Sequence, residues 1–123
     1  MKIYFPNPKG CLPVRKKNGQ YELIAWGRRK TQIGELPVGG WARLESIEKG
    51  VWDKWMPKPV KIIVQRFMEK DMEGQSHWFE LMPGQHIQGL LAHSKNETRI
   101  YVVTVIPELP DAIHDRWPRI MNG

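Results

Sequence analysis

The chain has 123 residues, of which 41% are hydrophobic and 26% charged, and a formal net charge of +6. That length supports one compact domain over residues 1–123 with a modest core, and the composition excludes the disordered and fibrous classes. No apolar run approaches the roughly 20 residues that span a bilayer. The opening stretch Met1-Lys2-Ile3-Tyr4-Phe5-Pro6 is too short and too soon interrupted by proline for a signal peptide, so the cytoplasm is the expected compartment. The single cysteine, Cys11, leaves no internal disulfide and no cysteine cluster for zinc.

Leu12 to Lys17 and Gln20 to Trp26 flank Asn18-Gly19, a strong two-residue hairpin signal because both turn positions favour positive φ. Gly27 to Gly40 mixes glycine, proline and basic residues and reads as a long loop, of the kind that is usually functional or mobile. Trp41 to Glu48 is ambiguous. A short helix is expected within Ser46 to Trp55, closed by Pro57 and Pro59, with Trp52 and Trp55 on one face against the core. Val60 to Met68 is β-branched and predicts one buried strand. A polar turn over Lys70 to Gln75 leads to a strand at Ser76 to Leu81. After the turn Met82-Pro83-Gly84-Gln85 comes a strand at Ile87 to Ala92, then a turn at Ser94 to Thr98 and the clearest strand, Arg99 to Ile106. Beyond Pro107 and Pro110 a short helical segment is expected through His114. The fold class is therefore α+β: a mostly antiparallel curved sheet or partial barrel with few short helices.

Basic residues cluster at Arg15-Lys16-Lys17, at Arg28-Arg29-Lys30, and at Arg116 with Arg119. A basic domain favours a polyanionic partner, most often nucleic acid. The six tryptophans add to this, since indoles stack on unpaired bases, although most serve as core anchors. His77, His86 and His93 share no metal-ligand spacing and read as surface or sheet residues. Cys11 reads as a small half-buried hydrophobe beside Leu12 rather than a nucleophile, because no activating base lies near it in sequence.

Three segments in order carry a family resemblance. Ile113-His114-Asp115-Arg116-Trp117-Pro118 follows a hydrophobic strand, Val64-Gln65-Arg66-Phe67-Met68-Glu69 ends in aromatic-x-Glu, and Trp26-Gly27 precedes Trp41-Ala42-Arg43-Leu44-Glu45. From about Tyr4 to Ile120 the chain resembles a shortened SRAP (SOS response-associated peptidase) protein, with His-Asp-Arg-x-Pro, the active-site glutamate strand, the Trp-Gly pair and the Asn-Ala-Arg-x-Glu motif in turn. Members of that family recognise abasic sites in single-stranded DNA and capture the sugar aldehyde with an N-terminal cysteine as a thiazolidine.

By this resemblance Glu69 would position or deprotonate the reacting amine and His114 would act as acid/base, the two meeting at the floor of a concave surface. Arg43 would contact a phosphate, and Arg28, Arg29, Lys30 and Arg116 would line the same surface with Trp41 available for stacking. Asp115 and Arg116 are expected to pair with each other, with phosphate contact by Arg116 as the alternative. No cofactor and no metal is implied. The chain departs from the family in having Lys2 in place of the cysteine and Trp41 in place of the asparagine, and Tyr4-Phe5-Pro6-Asn7-Pro8 aligns with an interior strand. The resemblance thus implies a module for single-stranded or abasic-site DNA, in DNA damage response or phage biology, without cysteine-dependent cross-linking. Two alternatives stand beside it: a residual Schiff-base lyase using the amine of Met1 or Lys2, and a protein-interaction domain with a dead site.

Overall fold

The computed structural model describes residues 10–70, 73–106 and 116–123, with 69 and 70 described by their main chain only. Met1, Lys2, the segment expected to be helical before His114, and His114 and Asp115 themselves lie outside the described residues.

The first hairpin pairs β1 (Cys11–Arg15) with β2 (Tyr21–Ala25), from Cys11 opposite Ala25 to Arg15 opposite Tyr21. The alternation of the sequence buries Leu12, Val14 and Ile24 on one face. The turn differs from the two-residue form expected. Lys16 N–H donates to Gln20 O at 2.8 Å, which encloses Lys17, Asn18 and Gly19. Of the two turn residues only Gly19 has positive φ, at 84°. Asn18 instead accepts the Gln20 N–H on its Oδ1 at 3.0 Å. A three-residue loop closed by a left-handed glycine gives the strands the same twist.

Strand β3 (Trp41–Arg43) runs into α1 (Leu44–Glu48), and a single 3-10 turn follows at Asp53–Trp55. The helix begins two residues earlier than expected and turns off at Lys49-Gly50, so Trp52 and Trp55 reach the core from a turn. Strand β4 (Lys58–Ile62) joins β1 and the long strand β7 (Gln85–Ser94), which pairs with β8 (Glu97–Val105). The single strand expected over Val60 to Met68 is two. After Ile62 the chain bends, with Ile63 N–H still donating to Pro13 O at 3.0 Å. It then continues as β5 (Arg66–Lys70), which leaves the main sheet and pairs with β6 (Ser76–Glu80) in a separate ribbon. No glycine or proline marks this bend, which is why the sequence reads as continuous.

Two short strands complete the fold: β9 (Trp117–Pro118) pairs with β8 and β10 (Ile120–Asn122) with β7. Beyond Gly89 and Val102 the partners β7 and β8 diverge, and this segment fills the gap between them. Arg119 N–H donates to Val103 O at 2.8 Å, and Gln88 N–H donates to Arg119 O at 2.9 Å. Among the described residues eight strands form one mixed sheet in the order β2-β1-β4-β7-β8-β3, with β9 and β10 inserted at its divergent end. Only β3 joins it in parallel, on β8. The sheet curls without closing into a barrel, bringing Trp26 into a bridge with Ile100 of β8. The α+β class with a curved sheet and few short helices is what the chain adopts.

Each face of the sheet carries a core. Leu12, Val14, Ile24, Ile62, Ile87, Ile100 and Val102 fill the inside of the curl. Leu36, Ala42, Trp52, Leu90, Ala92, Tyr101 and Val103 fill the opposite face beneath α1 and the 27–40 loop. Gly89 separates Ile62 from Ile100: a Cβ there would lie 2.8 Å from atoms of both. Among the described residues no helix is long and apolar enough to cross a membrane.

Candidate functional site

Strand β3 is an edge of the sheet, and its three residues alternate. Ala42 is buried among Tyr101 and Val103, while Trp41 and Arg43 point to the other face. Their register partners on β8 are Val102 and Thr104. Trp41 is 47% exposed and meets Trp26 edge-on, with ring centroids 5.4 Å apart and planes at 71°. Trp26 is fixed in turn by the first core and by its indole N–H, which donates to Gly40 O at 2.8 Å. Trp41 therefore stands on a rigid base with much of its ring in solvent. Arg43, one residue beyond Ala42, is exposed, and its guanidinium makes no hydrogen bond or ion pair within the described residues.

Arg116 arrives at the same place from the far end of the chain. Its Nη2 donates to Thr104 O at 2.8 Å and its Nε to Thr104 Oγ1 at 3.3 Å. The rest of its fork grips Glu45, with Nη1 to Oε2 at 2.8 Å and Nη2 to Oε1 at 3.2 Å. Hydrogen bonding from Arg116 holds the Glu45 carboxyl below the usual carboxylate range, and the charge of Arg43 acts in the same direction. The partner of Arg116 is thus Glu45, and Asp115, the partner expected from sequence, is outside the described residues. Next to Arg116, Trp117 packs on Phe79 at 4.7 Å and on Phe67 at 5.2 Å, anchoring the β5–β6 ribbon over this end of the sheet.

The expected Glu69–His114 pair falls outside what is described: Glu69 is placed only by its main chain, opposite His77 and two positions beyond Phe67, and His114 is not described. The expected loop cluster is arranged differently from a free phosphate clamp. Arg28 donates from Nε to Leu36 O at 2.6 Å and from Nη1 to Gln32 O at 2.7 Å. Arg29 is 8% exposed and donates from Nη1 to Trp26 O at 2.5 Å. Burial, and then the charge of Arg99, lower the Arg29 pKa. Both guanidiniums serve the main chain of their own loop, and Lys30 is the exposed member of the cluster.

The loop is tied from its other side as well. Glu97 Oε1 accepts Glu35 N–H at 2.9 Å and Leu36 N–H at 3.1 Å, while Oε2 accepts Arg99 Nε at 2.8 Å. Burial pushes the Glu97 carboxyl up, but these donors outweigh it and the net shift is down. Tyr101 Oη donates to Pro37 O at 2.6 Å, and burial raises that phenol to about 12. A loop expected to be mobile is instead strapped to β8.

Cys11 is half-buried in β1. Of the three histidines read as surface or sheet residues, His77 and His93 are half-buried in strands and His86 is buried. Sequence reasoning missed the grip of Glu45 on Arg116. The available signal was the carboxylate two residues after Arg43 in a motif already singled out. The sequence also gave no sign that Thr104 would present both its carbonyl and its hydroxyl to Arg116. Comparison with protein-family models, with curated proteins and with solved structures finds no match to this chain.

Proposed function

We propose that the chain binds single-stranded DNA, including strands with an abasic site, as an SRAP-like module of DNA damage response or phage biology that forms no cysteine cross-link. The observation that supports this best is the exposed Trp41 ring, fixed edge-on against Trp26 and followed on the same face by the open guanidinium of Arg43. A flat ring held rigidly beside a cation suits an unpaired base and its phosphate: the ring stacks on any base, and the guanidinium neutralises the backbone. The net charge of +6 supplies the long-range attraction. Cys11 lies inside a strand with its nitrogen in a peptide bond, so it offers a thiol and no free amine, and the reading contains no thiazolidine step.

The test is fluorescence anisotropy with labelled single-stranded oligonucleotides, with and without one abasic site, over a series of salt concentrations. Binding is expected to weaken steeply as salt rises, because neutralised phosphates release counterions. Replacing the exposed ring (Trp41→Ala) is expected to lower affinity roughly five- to hundred-fold across sequences, the range for loss of one stacked base. No binding at low salt, or a Trp41→Ala protein that binds as well as the parent, removes this reading.

A further inference from the structure

The Arg116–Glu45 pair lies beside Arg43 through Thr104, and its two members are held very differently. Arg116 has two anchors independent of Glu45, the carbonyl and the hydroxyl of Thr104. Its side chain is 22% exposed. Glu45 is 45% exposed, and no described residue other than Arg116 forms a salt bridge with it. The carboxylate can therefore swing into water without uncovering the core, while the guanidinium stays in place. Nearly half of the Glu45 side chain already faces water, so exchanging its carboxylate for another anion uncovers no core and leaves Arg116 on its Thr104 anchors. The fork that donates to two carboxylate oxygens also donates to two phosphate oxygens in the same plane. Arg43 completes the setting: its register neighbour is Thr104, the residue that holds Arg116.

We propose that the Glu45 carboxylate occupies the seat of a nucleic-acid phosphate at Arg116, beside Arg43, so that a strand engages Arg116 only by displacing it. Glu45 is then an internal competitor, which holds the site closed to weakly bound anions and opens it to a strand already stacked on Trp41. This rests on the nucleic-acid reading above and adds its regulation.

The test compares the parent protein with Glu45→Gln and Glu45→Asp, using an unmodified single-stranded oligonucleotide over a salt series, with inorganic phosphate followed separately through the Arg116 side-chain N–H resonance. Glu45→Gln keeps the shape and removes the charge. It is expected to raise oligonucleotide affinity about three- to tenfold and to steepen the salt dependence by about 0.7 in slope, the value for one more phosphate neutralised on a single strand. Glu45→Asp, which keeps the charge but shortens the reach, should fall between the two proteins and serves if the glutamine variant does not fold. Inorganic phosphate should shift the Arg116 resonance at lower concentration in Glu45→Gln than in the parent. If the parent binds the oligonucleotide and both variants bind it no more tightly, Glu45 is a structural partner only, and the competitor proposal is overturned while the nucleic-acid reading stands. If no protein binds the oligonucleotide at low salt, the nucleic-acid reading falls and takes the proposal with it.

Discussion

His86 is 7% exposed in β7, with Met121 of β10 opposite it. Burial, and then the nearby charge of Lys61, lower its pKa below the ordinary histidine value of about 6.5. The folded state therefore binds this proton less readily than the unfolded state. The stability involved is fully present above about pH 6.5 and is lost as the pH falls through the lowered folded value. Urea unfolding at pH 7.5 and 5.5 should show the parent losing stability on acidification, and His86→Gln losing less. Equal losses would place the acid sensitivity elsewhere. Single residues were legible where local pattern decides their fate: Leu12, Val14 and Ile24 are buried as alternation requires. Arg29 was not. In the sequence it is the middle of three cations, and nothing in that run shows that its guanidinium turns back to the carbonyl of Trp26 while Lys30 stays exposed.

Among the elements, the 27–40 loop takes two of its ties from one carboxylate. Glu97 receives two loop N–H groups and Arg99, and its side chain is 13% exposed. Glutamine offers one accepting oxygen in place of two and leaves the largely buried Arg99 without its counter-charge. Glu97→Gln is expected to cost about 2–3 kcal/mol in chemical unfolding, with faster hydrogen exchange at the Glu35 and Leu36 amides than at Val103. Unchanged exchange at those amides would show that the strap is not needed. The hairpin of β1 and β2 and the long strands β7 and β8 were legible because alternation and turn residues mark them. The departure of β5 from the sheet was not, because nothing in Ile63-Val64-Gln65 signals a bend. What pulls the ribbon away is the packing of Phe67 and Phe79 on Trp117, a residue far along the chain.

At the scale of the molecule, the candidate site exists only because distant segments converge: the pair of Glu45 with Arg116 spans 71 positions. The sequence could nominate Trp41, Arg43 and Arg116 one by one, but the meeting of Arg43 and Arg116 at Thr104 depends on a parallel pairing of β3 with β8 that no local pattern encodes. The same convergence makes the last strands essential. A protein ending at Arg116 would leave Gln85 to Gln88 of β7 and Val103 to Val105 of β8 with open ladders, and Phe67 and Phe79 without Trp117. Such a truncation is expected to aggregate, as exposed strand edges do. A monodisperse, folded truncate on size exclusion and circular dichroism would contradict this. The filled gap between β7 and β8 also has a consequence in time. Synthesis delivers β7 and β8 first and the strands that fill their divergence last, at about 5–20 residues per second. For that interval the nascent chain carries two facing unsatisfied edges. The interval ends when Arg119 arrives to bridge Val103 and Gln88.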